Sequence, residues 1–413
     1  MEYLDLDLNL TDEQIDMKKS VHKFAREVLR PAAARLDALA DPEDVLKKDS
    51  VYWDVMKKMK SLGYHTVFIP ENFGGLGLSP LELHIFWEEM AWGSGGLAVS
   101  IGVDSFPAFF ASMLAEDKLV ENIVNPFVND TECNFIGCWA ITEPDHGSDT
   151  LMVGTPSFRD SKITGNVKAR RDGDGWVLNG QKSSWVSNGP QATHALLFLN
   201  IDQSMGMAGG GVAIVPLDLP GVSRGKALNK MGQREVPQGE IFFDDVLIPG
   251  WCMVADPETY EAMLDITLSL ANGCMGAMFT GVARAAFEEA LAYSRERIQG
   301  GVPICRHQLV QKKLFDMFMK VETARAISRR ALVHNMSVTP PSLEYSIASK
   351  VYCTQAAFEV ANEAVQIFGG YGVSKEYYIE ALFRDARGSL IEDGSNDVLS
   401  LMAAEAILRN YGN

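Results

Sequence analysis

The chain has 413 residues, 47% of them hydrophobic, and a formal net charge of −17 at neutral pH. That length and apolar content suffice for two or three packed layers or domains. The acidic balance argues against nucleic acid and anionic membrane as partners, since both are held by clustered Lys and Arg.

The first residues, MEYLDLDLNLTDEQ, are acidic and lack a basic region ahead of an apolar one, so no signal or transit peptide is read there. Residues 1–130 read as helices. Thr11 with Gln14 is a capping-box pattern, and Met17, Val21, Phe24 and Val28 recur at helical spacing. Ser79, Pro80 and Glu82 are a stronger start signal, combining an N-cap, a first-turn proline and a box acid. The helix they open runs through HIFWEEMAWG, after the glycine-rich loop FIPENFGGLGLS.

From about residue 135 the pattern changes. WVLNGQKSSWVSNG contains Asn179-Gly180, a strong hairpin signal, and ALLFLNID, GVAIVPLDL and EIFFDDVLIP follow at short intervals. This predicts an antiparallel β region ending near Pro249. From about 255 the chain reads as helical again: residues 258–297 as one long helix stopped by the double glycine of RERIQGG, then 307–335, 342–368 and 395–410. The order α, β, α speaks against a doubly wound parallel sheet. GGLGLS and GGYGVS do not fit G-x-G-x-x-G after a strand, so a nicotinamide-type site is not indicated.

No apolar run reads as long and clean enough to span a bilayer. The six cysteines, at 133, 138, 252, 274, 305 and 353, form no C-x-x-C pair. Neither a metal site nor a disulfide framework is suggested, and a reducing, cytoplasmic compartment fits.

The segment LIEDGSND, residues 390–397, places Glu392 and Asp393 side by side before the last helix. They suit N-terminal capping. They equally suit general-base work, where a carboxylate in a desolvated pocket takes a proton.

Four strings, CWAITEPDHGSDT (138–150), NGQKSSWVSNG (179–189), RERIQGGVPICRHQ (295–308) and QIFGGYGVSKEYYIEALFRDAR (366–387), together resemble the acyl-CoA dehydrogenase family, in order and with matching spacing. The resemblance implies an α+β architecture: an N-terminal α-helical domain (1–135), a middle antiparallel β domain (136–252) and a C-terminal four-helix bundle (253–413). It implies FAD as cofactor, an acyl-CoA substrate, an electron-transfer flavoprotein as electron acceptor and a homotetramer. The reaction implied removes a Cα proton and passes a Cβ hydride to the flavin.

Carried over residue by residue, Trp139, Ile141, Thr142, Gly147, Ser148, Trp185 and Ser187 match positions around the flavin, with Ser148 also at the acyl-CoA. Arg297, Gln299, His307, Gln308, Gln366, Gly369 and Gly370 match the pyrophosphate and adenosine end, partly across a subunit interface. Ser395 and Asp397 join the cofactor set, and Asp265 and Gly394 the substrate set. The family base aligns with Asp393, an aspartate where most members have glutamate, one methylene (about 1.5 Å) shorter. Glu392 is the out-of-register alternative.

Other positions depart from the family. Thr267 stands at a CoA-contacting arginine, Ile266 at an alternative glutamate base, and Gly96 at the arginine of members acting on dicarboxylic acyl groups. Asp104 lies in the segment that lines the acyl pocket and is a third candidate acid. These departures favour an alicyclic or branched acyl group. A flavoprotein oxidase of the same fold, as in nitroalkane oxidases with an aspartate base, is the alternative, and a catalytically silent acyl-CoA-binding flavoprotein a third reading.

Overall fold

The computed structural model describes residues 9–411 together with Leu6. The N-terminal stretch in which no signal or transit peptide is read falls partly outside the described residues.

Eight helices come first: α1 (Asp12–Phe24), α2 (Arg30–Asp37), α3 (Val51–Ser61), α4 (Pro80–Gly93), α5 (Gly95–Asp104), α6 (Phe106–Leu114) and two short ones, α7 (Asp117–Leu119) and α8 (Asn125–Val128). Both sequence start signals form as capping boxes. Thr11 Oγ1 accepts from the Gln14 amide at 3.2 Å, and Gln14 Oε1 accepts from the Thr11 amide at 3.2 Å. Glu82 Oε2 accepts from the Ser79 amide at 2.8 Å, and the Ser79 hydroxyl caps the Glu82 amide. Each cap satisfies helix-end amides that otherwise have no intrahelical partner. Behind the α4 cap, Phe86 and Trp87 are fully buried, worth roughly 1.5–3 kcal/mol each.

The middle of the chain is one eight-stranded sheet: β1 (Gly137–Ala140), β2 (Lys168–Asp172), β3 (Gly175–Ser187), β4 (His194–Asn200), β5 (Gly210–Pro216), β6 (Val222–Arg224), β7 (Gln238–Pro249) and β8 (Met253–Ala255). The spatial order is β6-β7-β3-β2-β4-β5-β8, with β1 beside β4. The expectation of a purely antiparallel sheet is corrected: β1 runs parallel to β4, Gly137 opposite His194, and β2 meets β4 in parallel at Lys168 and Asn200.

The hairpin also moves. Asn179-Gly180 lies inside β3, at a register shift against β7, with Gly180 at φ +134°. Asn179 exchanges side-chain hydrogen bonds with Asp245 at 2.9 and 3.0 Å, which fixes the bulge. The β2–β3 turn is Gly173-Asp174, where Gly173 supplies φ +56°.

Five further helices complete the chain: α9 (Tyr260–Glu296), α10 (Gln308–Ser337), α11 (Leu343–Phe368), α12 (Ile379–Ser389) and α13 (Asn396–Asn410). α9 ends before the double glycine. Gly300 and Gly301, at φ +62° and +80°, instead form the tip of a small hairpin, β9 (Ile298–Gln299) with β10 (Val302–Pro303), because a two-residue turn of this hand needs positive φ at both positions.

The small residues of LANGCMGAMFTG are explained by close approach. A Cβ at Gly276 would lie 2.1 Å from Ser349 Oγ of α11, and one at Gly281 would lie 2.1 Å from the Glu88 carbonyl oxygen of α4. Two segments, Gly95–Leu114 and Tyr260–Glu296, are long and apolar enough to cross a membrane by length and composition alone. Their apolar windows are 89% and 94% buried inside the fold, so they serve as core helices. Between α4 and the bundle, Glu88 takes ion pairs from Arg284 at 2.7 Å and Arg325 at 2.8 Å.

Candidate active site

A cavity of about 950 Å³ opens where the sheet meets the bundle. Its sheet side is built from the end of β1, the loop that follows it, and the end of β3. Trp139, Ile141 and Thr142 line it, then Gly147 and Ser148, then Trp185 and Ser187. The loop after β1 is fastened by the buried Glu143 carboxylate, which meets Lys182 Nζ at 2.7 Å and the Val167 amide at 3.0 Å. Burial works against that charge, but Lys182 and the amides of Asn166 and Val167 hold its carboxyl below the usual range. Trp185 remains 57% exposed, with its face available to a ligand.

The opposite wall comes from α12, the loop 390–394 and a loop between β6 and β7 (229–238). Asp393 and Gly394 both lie in the left-handed region, at φ +53° and +95°, and this turn directs Asp393 to the cavity. Such a conformation is adverse for a residue with a Cβ and persists where surrounding bonds over-determine it. The cap of α13 is Ser395, whose hydroxyl accepts from the Val398 amide at 3.4 Å. The two acids before it do not cap. Asp397 sits exposed in the first turn of α13, off the cavity.

Burial raises the Asp393 carboxyl to about 6, opposed by the charge of Lys350. Burial and then the neighbouring Asp393 raise Glu392 to about 7. Glu392 Oε1 accepts from Gln233 Nε2. The Asp393 carboxylate has no hydrogen bond among the described residues and lines the cavity directly.

A second cavity, of about 630 Å³, gathers Arg297, Gln299, Gln366, Gly369 and Gly370. Arg297 follows the last turn of α9, its guanidinium 5.8 Å from the Tyr371 ring centre. His307 stands behind, its Nε2 3.0 Å from the Gln299 carbonyl oxygen, and Gln308 begins α10 exposed to solvent.

Two candidate acids lie away from both cavities. Asp104 is corrected from acyl-pocket acid to buried ion-pair partner. Its Oδ2 is 3.2 Å from Lys60 Nζ and its Oδ1 accepts from the Gly137 amide at 2.8 Å, while the neighbouring Val103 faces the cavity. Asp265 is half-buried near the start of α9, raised to about 6 by burial and by Glu261, with Arg409 opposing. Thr267 spends its hydroxyl on the Met263 carbonyl at 2.7 Å. At Gly96 a Cβ would lie 2.7 Å from the Glu235 carboxyl carbon, so a larger residue there meets an occupied space.

Sequence reasoning missed Lys230, Gln233 and Arg387 on the cavity wall, and Lys350 behind it. Lys230 donates to Gln238 Oε1 at 2.9 Å, and Gln238 Nε2 donates to the Ser187 hydroxyl at 2.9 Å. Burial lowers Lys230 to about 8. For Lys350 a signal existed: it stands in the apolar stripe Ile347, Cys353, Ala357 of α11, where an unpaired cation would be costly.

Three family descriptions match in succession: acyl-CoA dehydrogenase N-terminal domain over 11–115, middle domain over 138–246 and C-terminal domain over 264–408. The chain belongs to the acyl-CoA dehydrogenase family. Among curated relatives, the benzylmalonyl-CoA dehydrogenase of Aromatoleum aromaticum is 31% identical over 97% of this chain and 100% of its own. The mitochondrial short-chain specific acyl-CoA dehydrogenase of Rattus norvegicus is 30% identical over 96% of this chain and 90% of its own. The solved butyryl-CoA dehydrogenase of Megasphaera elsdenii superposes with a TM-score of 0.85 at 29% identity, covering 98% of this chain and 100% of that one.

This acyl-CoA dehydrogenase is accordingly FAD-dependent, and its residues suit the cofactor. The large cavity pairs an apolar, aromatic wall with a few hydroxyls, as a flavin ring requires. The Trp139 indole N–H is buried without a hydrogen-bond partner among the described residues. A Cβ at Gly147, Gly369 or Gly370 would meet no protein atom within 4 Å, so these glycines keep open the space that lines the two cavities.

Proposed function

We propose that the Asp393 carboxylate takes the Cα proton of an acyl-CoA thioester bound in the large cavity. The observation that carries this reading is the placement of Asp393: on the cavity wall, its carboxylate without a hydrogen bond among the described residues and raised to about 6. A base poised just below neutral pH is mostly ionised there and still basic enough to accept a proton. Bound FAD supplies the acceptor for the Cβ hydride.

In this reading Trp139, Ile141 and Trp185 exclude water from the ring, and the Thr142 and Ser187 hydroxyls bond its polar edge. Ser148 orients the loop beneath, since its hydroxyl accepts from the Ser395 amide at 3.0 Å. Arg297, Gln299, Gln366, Gly369 and Gly370 hold the pyrophosphate and adenosine of a cofactor shared with a neighbouring copy, which calls for a homotetramer. His307 and Gln308 support that end, and Asp265 the CoA nucleotide. Glu392, tied to Gln233, shapes the acyl end of the cavity.

The acyl group is alicyclic or branched, electrons leave to an electron-transfer flavoprotein, and the enzyme works in the cytoplasm. The division into units at 135/136 and 252/253 belongs to the same reading. It draws support from the family matches and from the aspartate that shortens the base.

The test is anaerobic bleaching of the bound flavin by a panel of CoA thioesters and by nitroalkanes, in wild type and in Asp393→Asn. The expected result is bleaching by a branched or alicyclic thioester, and a yellow, unreducible Asp393→Asn. Bleaching by nitroalkanes alone would move the protein to the oxidase reading. Undiminished bleaching in the variant would remove Asp393 from the role.

A further inference from the structure

We propose that Lys350, in the middle of α11, is the positioning residue that aims the base, its ammonium pinning the left-handed turn on which Asp393 stands. The inference rests on the assignment of Asp393 as base.

Lys350 is fully buried, yet it does not line the cavity, and among the described residues it has no carboxylate within ion-pair distance. Its ammonium instead reaches the base loop from behind. It donates to the Gly394 carbonyl at 2.7 Å and to Asn396 Oδ1 at 2.8 Å. Asn396 is held from its other side, its Nδ2 donating to the Thr354 hydroxyl at 3.0 Å, one turn along the same helix. The Asn396 amide returns to the Leu390 carbonyl at 3.0 Å, which closes the loop at its base. Lys350 and Thr354 thus form a polar cradle in an otherwise apolar helix face.

What the cradle holds is a pair of consecutive residues at positive φ, the first of them not glycine. Without external bonds an aspartate would leave that conformation, and its carboxylate would leave the cavity with it. Glu392, the residue before, is tied by its carboxylate to Gln233 Nε2 and by its amide to the Gly388 carbonyl. On Asp393 and Ser395 themselves the ties from other elements are the Ser148 hydroxyl on the Ser395 amide and a long contact, 3.5 Å, from Asn272 Nδ2 to the Asp393 carbonyl. Both are neutral bonds. The two from Lys350 are charge-assisted, roughly twice as strong as neutral ones.

The same cation acts on the base through space. Lys350 opposes the upward push of burial on Asp393, and Asp393 with Glu392 holds Lys350 up against its own burial, at about 8. The other titratable groups facing this cluster are Lys230, which acts on Glu392, and the thiol of Cys274, raised by burial and then by Asp393. Neither supplies a positive charge to Asp393. Lys350 is the cation recorded as acting on it. When Asp393 accepts a proton its negative charge disappears, and Lys350 loses the partner that kept it charged. The loop is therefore most firmly held before proton transfer.

The test compares the pH profile of flavin bleaching by substrate in holoenzymes carrying Lys350→Gln and Lys350→Met, alongside Asp393→Asn. Lys350→Gln retains a donor for the Gly394 carbonyl but no charge. Its acid limb should move to higher pH, so that bleaching near pH 6 falls roughly tenfold against wild type while the limiting rate at high pH changes less. Lys350→Met, with neither donor nor charge, should lose rate at every pH. A merely structural lysine would alter thermal stability without displacing the limb. Should those variants not fold, Asn396→Ala decides, since it frees one side of the cradle and its limiting bleaching rate should fall while the acid limb stays in place. A Lys350→Gln profile identical to wild type, or an Asn396→Ala limiting rate equal to that of wild type, would overturn the proposal. If instead Asp393→Asn bleaches normally, the base assignment fails first, and that outcome is separately readable.

Discussion

Replacing Asp104 by alanine separates fold from chemistry at a candidate base that the structure removes from the cavity. The carboxylate is completely buried, and four groups depend on it or share its cation. Its Oδ1 accepts from the Gly137 amide at 2.8 Å, its Oδ2 faces Lys60 at 3.2 Å, and Lys60 also meets Asp130 at 3.1 Å and the Phe135 carbonyl at 2.8 Å. Truncation leaves a buried amide at the start of β1 without a partner, roughly 1–3 kcal/mol. It also halves the negative charge around a buried ammonium. Removing one partner of a buried pair costs about 3–5 kcal/mol. Asp130 keeps part of the compensation, so the lower end of that range is expected. The assay is a thermal scan of the holoenzyme together with flavin bleaching at a temperature where the variant is folded. The expected outcome is a clearly lowered midpoint with bleaching rate preserved. An unchanged midpoint with lost bleaching would refute the reasoning and return Asp104 to the chemistry.

Other outcomes follow from the same geometry. Asp393 is raised in the folded state, so folding binds a proton there, and its contribution to stability falls as pH rises from about 4 through about 6. Asp393→Asn should therefore melt higher than wild type at pH 8, keep about half of that advantage at pH 5 and lose it below about pH 4; an advantage that grows toward acid pH would contradict the placement. Wild-type flavin bleaching should decline as pH falls through about 6, where Asp393 takes up its proton. Gly281→Ala drives a methyl group to within 2.1 Å of the Glu88 carbonyl oxygen and should cost roughly 1–3 kcal/mol or more, read as a lower thermal midpoint with the flavin spectrum retained. Arg297→Ala should shed FAD on gel filtration about tenfold more readily, as loss of a charge-assisted phosphate contact predicts; full retention would detach the second cavity from the cofactor.

Much of the fold was legible because local signals and packing agreed. Both capping boxes formed where their residues lay, and the long helix at 258–297 was placed to within two residues at its start. The misreadings have physical causes. Asn179-Gly180 has the chemistry of a turn, but pairing of β3 with β7 continues through it, and the dipeptide is spent on a bulge. The double glycine after α9 gives two positive-φ residues to a hairpin tip rather than to a helix end. Asp104 was suspected for its apolar surroundings, and its partner Lys60 comes from α3, forty-four positions away, which no local pattern reveals. The cavity-facing aromatics were legible as a family string. The polar loop 229–238 was not, and Lys350 showed only as a cation in an apolar stripe, because their roles depend on meeting residues more than forty positions distant.

The hydrogen bond from the Ser395 amide to the Ser148 hydroxyl joins a loop that leaves the first strand to one that opens the last helix, 247 positions apart. Contacts of such span close late, after the local helices and hairpins have formed. A newly made chain can thus own every helix and strand and still lack the pocket. Uptake of the yellow colour then serves as a built-in inspection: a polypeptide that has stalled short of its final turn stays pale, however helical its circular dichroism.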